Sequence, residues 1–332
     1  MAKIAIIGAG SWGTALAHTL AGAGHDARLW AYEKEVVASI RERRENDAFL
    51  PGVILPENIT PTNDLAFALA NAECVLTVMP SHVCHSLYER MLPHLMPDML
   101  LVSATKGIDA ERHMRVSQII NSVVEKNFSA RIVVLSGPSF AKEVAVGDPT
   151  ALVAASDDVA AARWVQEEFS GKTLRLYTSD DVIGVEIGGA VKNVIAIAAG
   201  IIKGLELGHN PMAALVTRGL AETARLAAAL GARRETLAGL AGMGDLVLTC
   251  TGAFSRNRYV GVELGKGRKP TEILASMREV AEGVKTTYAT VEIARKLGVE
   301  MPITEQVRRI LNGEIPPRDA INELMQRSLK NE

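Results

Sequence analysis

The chain has 332 residues, 48% of them hydrophobic, and a formal net charge of -2 from 38 acidic and 36 basic side chains. This length exceeds what one hydrophobic core usually serves, so two domains are expected. Nearly balanced charge, with no long block of either sign, excludes a nucleic-acid stripe and an acidic tail and favours small-molecule partners.

From the N-terminus to about residue 180, short β-rich runs alternate with amphipathic helical patterns, the signature of βαβ units around a mostly parallel sheet. In chain order, strands are predicted at 3–7, 27–30, 73–78, 99–104, 131–136, 150–155 and 173–177. Helices are predicted between them at 11–23, 33–46, 83–92, 112–126 and 160–169. After Ser179 alanine- and leucine-rich patterns dominate, with predicted helices at 185–205, 211–230, 284–297, 304–312 and 317–328 and no convincing strand. Glycine and proline punctuate these helices. The expected fold is α/β: a Rossmann-like, mostly parallel sheet domain at 1–180, followed by an all-helical domain at 181–332.

Three cysteines, Cys74, Cys84 and Cys250, form no Cys-x-x-Cys pair and fit a reducing compartment. The sequence Met1-Ala2-Lys3 runs directly into an apolar strand, leaving no room for a secretory signal. The purely apolar run 194–202 is far shorter than the roughly 20 residues that span a bilayer. A cytoplasmic protein without membrane insertion is expected. No histidine pair has metal-ligand spacing with a carboxylate to complete it, so no metal is expected.

The first predicted strand ends in Gly8-Ala9-Gly10-Ser11-Trp12-Gly13, which opens a helix. In that context Gly-x-Gly-x-x-Gly is a dinucleotide fingerprint. Gly8 permits the tight turn, Gly10 lets the backbone approach a pyrophosphate, and Gly13 allows close helix–strand packing. At the end of the second strand, Tyr32 is followed by Glu33. An acid there can hold a ribose 2'-hydroxyl and repel a 2'-phosphate, favouring NAD over NADP. Two counter-readings stay open: Glu33 begins a helix whose dipole favours acids, and the nearby Lys34, Arg41, Arg43 and Arg44 could offset the repulsion.

Loops at two later strand ends bring Lys106, and then Gly137 and Ser139, to the carboxyl edge of the sheet, where open α/β folds bind ligands. In the helical half, Lys192 and Asn193 interrupt an apolar stretch. A charge there is either a lysine that snorkels to solvent or a proton-transfer group whose pKa desolvation lowers. Asp245, within Gly242-Met243-Gly244-Asp245, is a helix cap or a charge partner. Ser255-Arg256-Asn257-Arg258 is a solvated helix start or a phosphate anchor, since the arginine fork binds anionic oxygens bidentately.

Assembled, these residues resemble the NAD(P)-dependent glycerol-3-phosphate dehydrogenases of the bacterial type, over nearly the whole length. The resemblance rests on the Gly8–Gly13 fingerprint, Thr105-Lys106-Gly107-Ile108, Leu135-Ser136-Gly137-Pro138-Ser139-Phe140-Ala141, the stretch 189–200 around Lys192 and Asn193, Gly242-Met243-Gly244-Asp245-Leu246 and Ser255-Arg256-Asn257, in that order. It implies reversible reduction of dihydroxyacetone phosphate to sn-glycerol 3-phosphate, which feeds glycerophospholipid synthesis. Lys192 matches the general acid/base. Lys106, Gly137, Ser139, Lys192, Asn193, Asp245, Ser255, Arg256 and Asn257 match substrate-contacting positions. Ser11, Trp12, Lys106, Ala141, Arg256, Val280 and Glu282 match positions associated with the dinucleotide. Many relatives carry arginine where this chain has Tyr32 and Glu33, so the resemblance implies NAD or NADP while the residues favour NAD. Apolar surface in the helical half would suit a homodimer, although no interface is legible.

Overall fold

The computed structural model describes residues 1–277 and 281–329. The chain divides into two compact units: Met1–Lys106 with Arg115–Val185, and Gly107–Met114 with Glu186–Glu332.

The first unit contains β1 (Lys3–Ile7), β2 (Asp26–Trp30), β3 (Glu45–Asn46), β4 (Leu50–Ile54), β5 (Ile59–Thr62), β6 (Cys74–Thr77), β7 (Leu100–Ser103), β8 (Arg131–Ser136), β9 (Thr150–Ala155) and β10 (Leu174–Ser179). Eight of them form one sheet in the order β10-β9-β8-β7-β6-β1-β2-β5. Every junction is parallel except β8 with β9. Strands β6 and β7 are buried along their whole length, as expected of strands covered on both faces. Edge strand β10 instead alternates, with Leu174 and Leu176 buried and Arg175 and Tyr177 exposed. The helices of this unit are α1 (Ser11–Gly22), α2 (Lys34–Arg43), α3 (Leu65–Leu69), α4 (Cys84–Met91), α5 (Val116–Val124), α6 (Ala141–Val146) and α7 (Val159–Phe169).

Three local expectations are corrected. The helix expected at 33–46 stops at Arg43, because Arg44 turns left-handed (φ 55°) and donates its N–H to Ile40 O; Glu45 and Asn46 then pair with β4 in a hairpin. The helix expected at 112–126 is confined to α5. The residues before it fold around buried Asp109, whose Oδ1 accepts from the N–H groups of Glu111 and Arg112. Strand β5 was missed because Pro61 lies within it, and proline is tolerated there only because the strand is an edge.

The second unit is helical: α8 (Val182–Gly204), α9 (His209–Ala229), α10 (Arg234–Leu237), a π-helical turn at Leu240–Gly244, α11 (Asp245–Thr251), α12 (Arg256–Gly265), α13 (Pro270–Ala275), α14 (Glu282–Leu297), α15 (Pro302–Leu311) and α16 (Pro317–Met325). Of these, α10 to α13 were not foreseen. Helix α8 is long and apolar enough to cross a membrane, but 94% of its most apolar window is buried inside the protein. It is the central core helix of this unit, packed through Val194, Ile195, Ile197 and Ile201.

Helices α8 and α12 meet backbone to backbone. A Cβ added to Gly200 would lie 2.0 Å from Arg258 O, and one on Gly261 would lie 2.0 Å from Ile197 O. One turn on, Gly204 and Gly265 face Val262 O at 2.2 Å and Ile201 O at 2.6 Å. Glycine is disfavoured in helix interiors by about 1 kcal/mol against alanine, so here the close crossing dictates it. We expect Gly261→Ala to destabilise the protein by about 1–3 kcal/mol from overpacking, read as a lower thermal midpoint. Gly22→Ala, at an exposed position with no heavy atom within 4 Å of the added Cβ, is the control. If Gly261→Ala melts no earlier than that control, the crossing is looser than described.

Candidate functional site

At the carboxyl end of β1 the glycine loop sorts its glycines by task. Gly8 has φ 119°, and a Cβ there would lie 2.4 Å from Val78 O; a Cβ on Gly13 would lie 1.8 Å from Gly8 O. Both positions are dictated by the fold. Gly10 differs, since its Cβ would meet nothing within 4 Å, leaving room for a ligand to approach the backbone. Helix α1 starts at Ser11 without a side-chain cap and without an acid in its first turn, so its N-terminal dipole is uncompensated. Trp12 Nε1 is buried with no hydrogen-bond partner among the described residues. Open space at Gly10, an uncapped helix start and an orphan indole donor together fit a dinucleotide. The loop is braced by Asn46, whose Nδ2 donates to Ala9 O and to Thr14 Oγ1, both at 2.8 Å. Sequence reading missed Asn46 by placing it at the end of a helix.

Tyr32 is 75% exposed. Glu33 is the N-cap residue of α2, yet its carboxylate makes no capping bond and stands exposed. The carboxylate is thus available at the end of β2, as a ribose-binding role requires. Lys106 Nζ donates to Gly137 O at 2.9 Å and lies 3.5 Å from Ser139 Oγ, which itself donates to Gly137 O. Gly137 has φ 138° and would place a Cβ 3.1 Å from Leu152, so the turn requires glycine. Ala141 opens α6 and, with Trp12, packs on the cluster of Ala15, Leu50 and Ala145.

In the second unit Lys192 is buried and paired with Asp245, whose side chain is 1% exposed. The ammonium does not snorkel to solvent. Asp245 reaches it because the π-helical turn packs its backbone on α8: a Cβ on Gly188 would lie 2.5 Å from Ala241 O. Thr249, one turn after Asp245, donates its hydroxyl to Asp245 O at 2.6 Å and lies 3.5 Å from Asp245 Oδ1. This i,i+4 pairing is a signal sequence reading could have used. Beside them, burial pushes the Cys250 thiol up to about 12, with the Lys192 charge opposing. Cys250 is therefore a thiol and not a nucleophile.

Asn193 and Asn257 are joined by a 2.9 Å bond from Asn257 Nδ2 to Asn193 Oδ1, and Asn257 Oδ1 accepts from Gly283 N at 2.9 Å. Ser255 caps α12, its Oγ accepting from Arg258 N at 3.2 Å. Arg256 is exposed in the first turn of that helix. Glu282 is the first residue of α14 and adjoins Gly283. Val280 lies outside the described residues. The structure therefore joins Lys192 to Asp245 and Asn193 to Asn257, while Arg256 and Glu282 lie near these pairs along the chain.

Family models described as the N-terminus and the C-terminus of NAD-dependent glycerol-3-phosphate dehydrogenase match residues 3–162 and 181–322. The chain belongs to the NAD-dependent glycerol-3-phosphate dehydrogenase family. Glycerol-3-phosphate dehydrogenase [NAD(P)+] of Koribacter versatilis is 61% identical over 329 residues, 98% of each chain. The protein of the same name from a Geobacter species (strain M21) is 54% identical over 330 residues, 99% of this chain and 98% of that one. Among solved structures, glycerol-3-phosphate dehydrogenase from Coxiella burnetii superposes with a TM-score of 0.94 at 41% identity, covering 98% of this chain and 99% of that one. As a member of this family the chain is an NAD(P)-dependent oxidoreductase.

The glycine loop allows a clean separation of binding from folding. Gly10→Ala should leave the thermal midpoint unchanged while weakening NADH binding by an order of magnitude or more, because the added methyl occupies only ligand space. Gly13→Ala should destabilise the fold outright. NADH bound by Gly10→Ala as tightly as by the wild type would remove Gly10 from the cofactor site.

Proposed function

We propose that this member of the family interconverts dihydroxyacetone phosphate and sn-glycerol 3-phosphate with Lys192 as the proton-transfer group, a role supported above all by the buried Lys192–Asp245 pair. A buried ion pair is weak evidence for stability, since well-packed apolar residues of similar volume often do as well or better. A lysine kept charged inside an apolar helix fits a task that needs a proton.

The Gly8–Gly13 loop with Ser11 and Trp12, then Tyr32, Glu33 and Ala141, would hold the dinucleotide, with Lys106, Arg256, Val280 and Glu282 contributing. When bound, the nicotinamide supplies or accepts the hydride. In reduction the Lys192 ammonium donates a proton to the developing alkoxide on the substrate's C2 oxygen; in oxidation the lysine takes it back. Asp245 holds the ammonium in place. Asn193 polarises the carbonyl as a hydrogen-bond donor. Ser255, Arg256 and Asn257 hold the phosphate, whose remote binding energy positions the reacting carbon. Lys106, Gly137 and Ser139 are further substrate contacts. The first unit, with the expected boundary near residue 180, carries the cofactor, and the helical unit carries the proton chemistry.

NAD is favoured over NADP because the Glu33 carboxylate is exposed and makes no capping bond. We place the protein in the cytoplasm, in keeping with three cysteines that are all free and buried. A homodimer through the helical unit is supported by the exposed apolar side chains of Met243, Val247 and Phe254. The product fits a role in supplying glycerophospholipid synthesis.

The direct test is oxidation of NADH and of NADPH by the purified protein with dihydroxyacetone phosphate. Turnover with both, at a higher kcat/KM for NADH, is expected; no turnover with either, or a clear preference for NADPH, would refute the corresponding part. General acid/base help contributes roughly 100- to 10,000-fold. Lys192→Ala should therefore lose turnover on that scale and keep NADH affinity, and an unchanged kcat would end the assignment.

A further inference from the structure

The bracing of the glycine loop has a direction as well as a place. Asn46 is fully buried, and its orientation starts from a group that cannot be reversed, because the Phe49 N–H donates to Asn46 Oδ1 at 3.2 Å. With the amide oxygen so turned, the two hydrogens on Nδ2 go to Ala9 O and to Thr14 Oγ1, both at 2.8 Å. Thr14, also fully buried, accepts there and donates its own hydroxyl to Ala9 O at 3.3 Å. The Ala9 carbonyl thus takes two donors from the interior, and Asn46 has no polar atom left to offer a ligand.

The hairpin of β3 and β4 keeps Asn46 at this station. On one side of it Arg44 O accepts from Leu55 N at 2.7 Å, and Arg44 Nε donates to Leu55 O at 3.3 Å. Next to it Glu45 O accepts from Ser39 Oγ at 2.6 Å, and Glu45 Oε1 accepts from Gly52 N at 2.7 Å.

The Ala9–Gly10 peptide is trans, and in a planar trans peptide the carbonyl and the following N–H point in opposite directions. An Ala9 oxygen drawn into the core therefore turns the Gly10 N–H away from it. That N–H has no partner among the described residues, and the space beside Gly10 is open. Glycine resists no backbone angle, so a peptide joined to it can turn over at little steric cost. The loop does not fix this polarity by itself; a side chain 36 positions beyond Gly10 does.

We infer that Asn46 is a positioning residue that sets the polarity of the Ala9–Gly10 peptide, so that the pyrophosphate of the dinucleotide meets the Gly10 N–H and not the Ala9 oxygen. The inference rests on the reading that the Gly8–Gly13 loop holds the dinucleotide. A backbone N–H aimed at a phosphate stabilises it, whereas a carbonyl oxygen in the same place would repel it. Asn46 acts through the loop and touches no cofactor atom.

The test measures binding of ADP-ribose, which carries the pyrophosphate without the nicotinamide, by calorimetry on the full chain. Asn46→Leu nearly keeps the volume and removes both donors, leaving Thr14 alone on Ala9 O. We expect it to bind ADP-ribose about 10- to 100-fold more weakly, the worth of a hydrogen bond to a charged group. The loss should appear in KM for NADH, with kcat on dihydroxyacetone phosphate changed by less than about threefold. In protein labelled with 15N-glycine, the Gly10 amide proton, identified by its absence from Gly10→Ala, should move downfield when ADP-ribose binds the wild type and stay in place in Asn46→Leu. Should Asn46→Leu fail to fold, Asn46→Ser, whose hydroxyl is too short to reach both partners, is read in the same way. A variant that binds ADP-ribose as tightly as the wild type, whatever its thermal midpoint, would reduce Asn46 to a structural brace and overturn the inference. So would a Gly10 amide that does not move although ADP-ribose binds. A wild type that binds no ADP-ribose would instead refute the reading on which the inference rests.

Discussion

The second unit is organised around one electrostatic problem, a lysine charge placed in the middle of its most apolar helix. Removing either partner of a buried pair typically costs about 3–5 kcal/mol, so Asp245 must arrive with its carboxylate already aimed at Lys192. Several otherwise unrelated features follow from that need. The π-helical turn at Leu240–Gly244 starts α11 at Asp245, Gly188 lets the backbone of that turn lie on α8, and Gly242 packs against Leu237 O, which a Cβ would approach to 2.1 Å. Thr249, on the next turn, bonds to Asp245 O and stands 3.5 Å from the carboxylate. Irregular helix geometry and a local run of glycine are here consequences of delivering one carboxylate.

Glycine performs three separable jobs in this chain. At Gly8 and Gly137 it permits backbone angles that side chains resist. At Gly200, Gly204, Gly261 and Gly265 it lets helices touch, which fixes the register of α12 on α8 and so the position of Asn257 beside Asn193. At Gly10 neither applies, and the space it leaves belongs to a ligand. Only the third kind speaks directly about function. A sequence cannot sort the three, because the residue is the same in each.

That limit explains what was legible beforehand. The alternation of strand and helix, the fingerprint loop and the all-helical second half could be read because each is a periodic or short-range pattern. Helices α10 to α13 were missed because they span only four to ten residues, too few for a helical period to stand out between glycines and prolines. Strand β5 was hidden by Pro61, and the bracing role of Asn46 by a helix drawn three residues too far. At the site, Lys192, Asp245, Asn193 and Asn257 could each be nominated from sequence. Their pairing could not, since Lys192 and Asp245 stand 53 positions apart and Asn193 and Asn257 stand 64 apart. The snorkelling alternative for Lys192 fell only when the pair was seen to be buried.

Two buried polar side chains of the helical unit, Asn257 and Glu222, share a further property, in that backbone N–H groups hold each of them. Gly283 N–H holds Asn257. Glu222, whose carboxyl is pushed above its ordinary value by burial, accepts from the N–H groups of Ile303 and Thr304 at the start of α15. Backbone donors cannot rotate away from their helices, so each side chain inherits the rigidity of a helix end. In a site of low dielectric this matters more than the strength of any one bond, because donors already oriented toward a developing charge need no reorganisation when the charge appears. The same constraint makes the arrangement intolerant of conservative change. Replacing an asparagine by an aspartate alters little volume but reverses a donor, and a network anchored to backbone N–H groups has no second way to satisfy it.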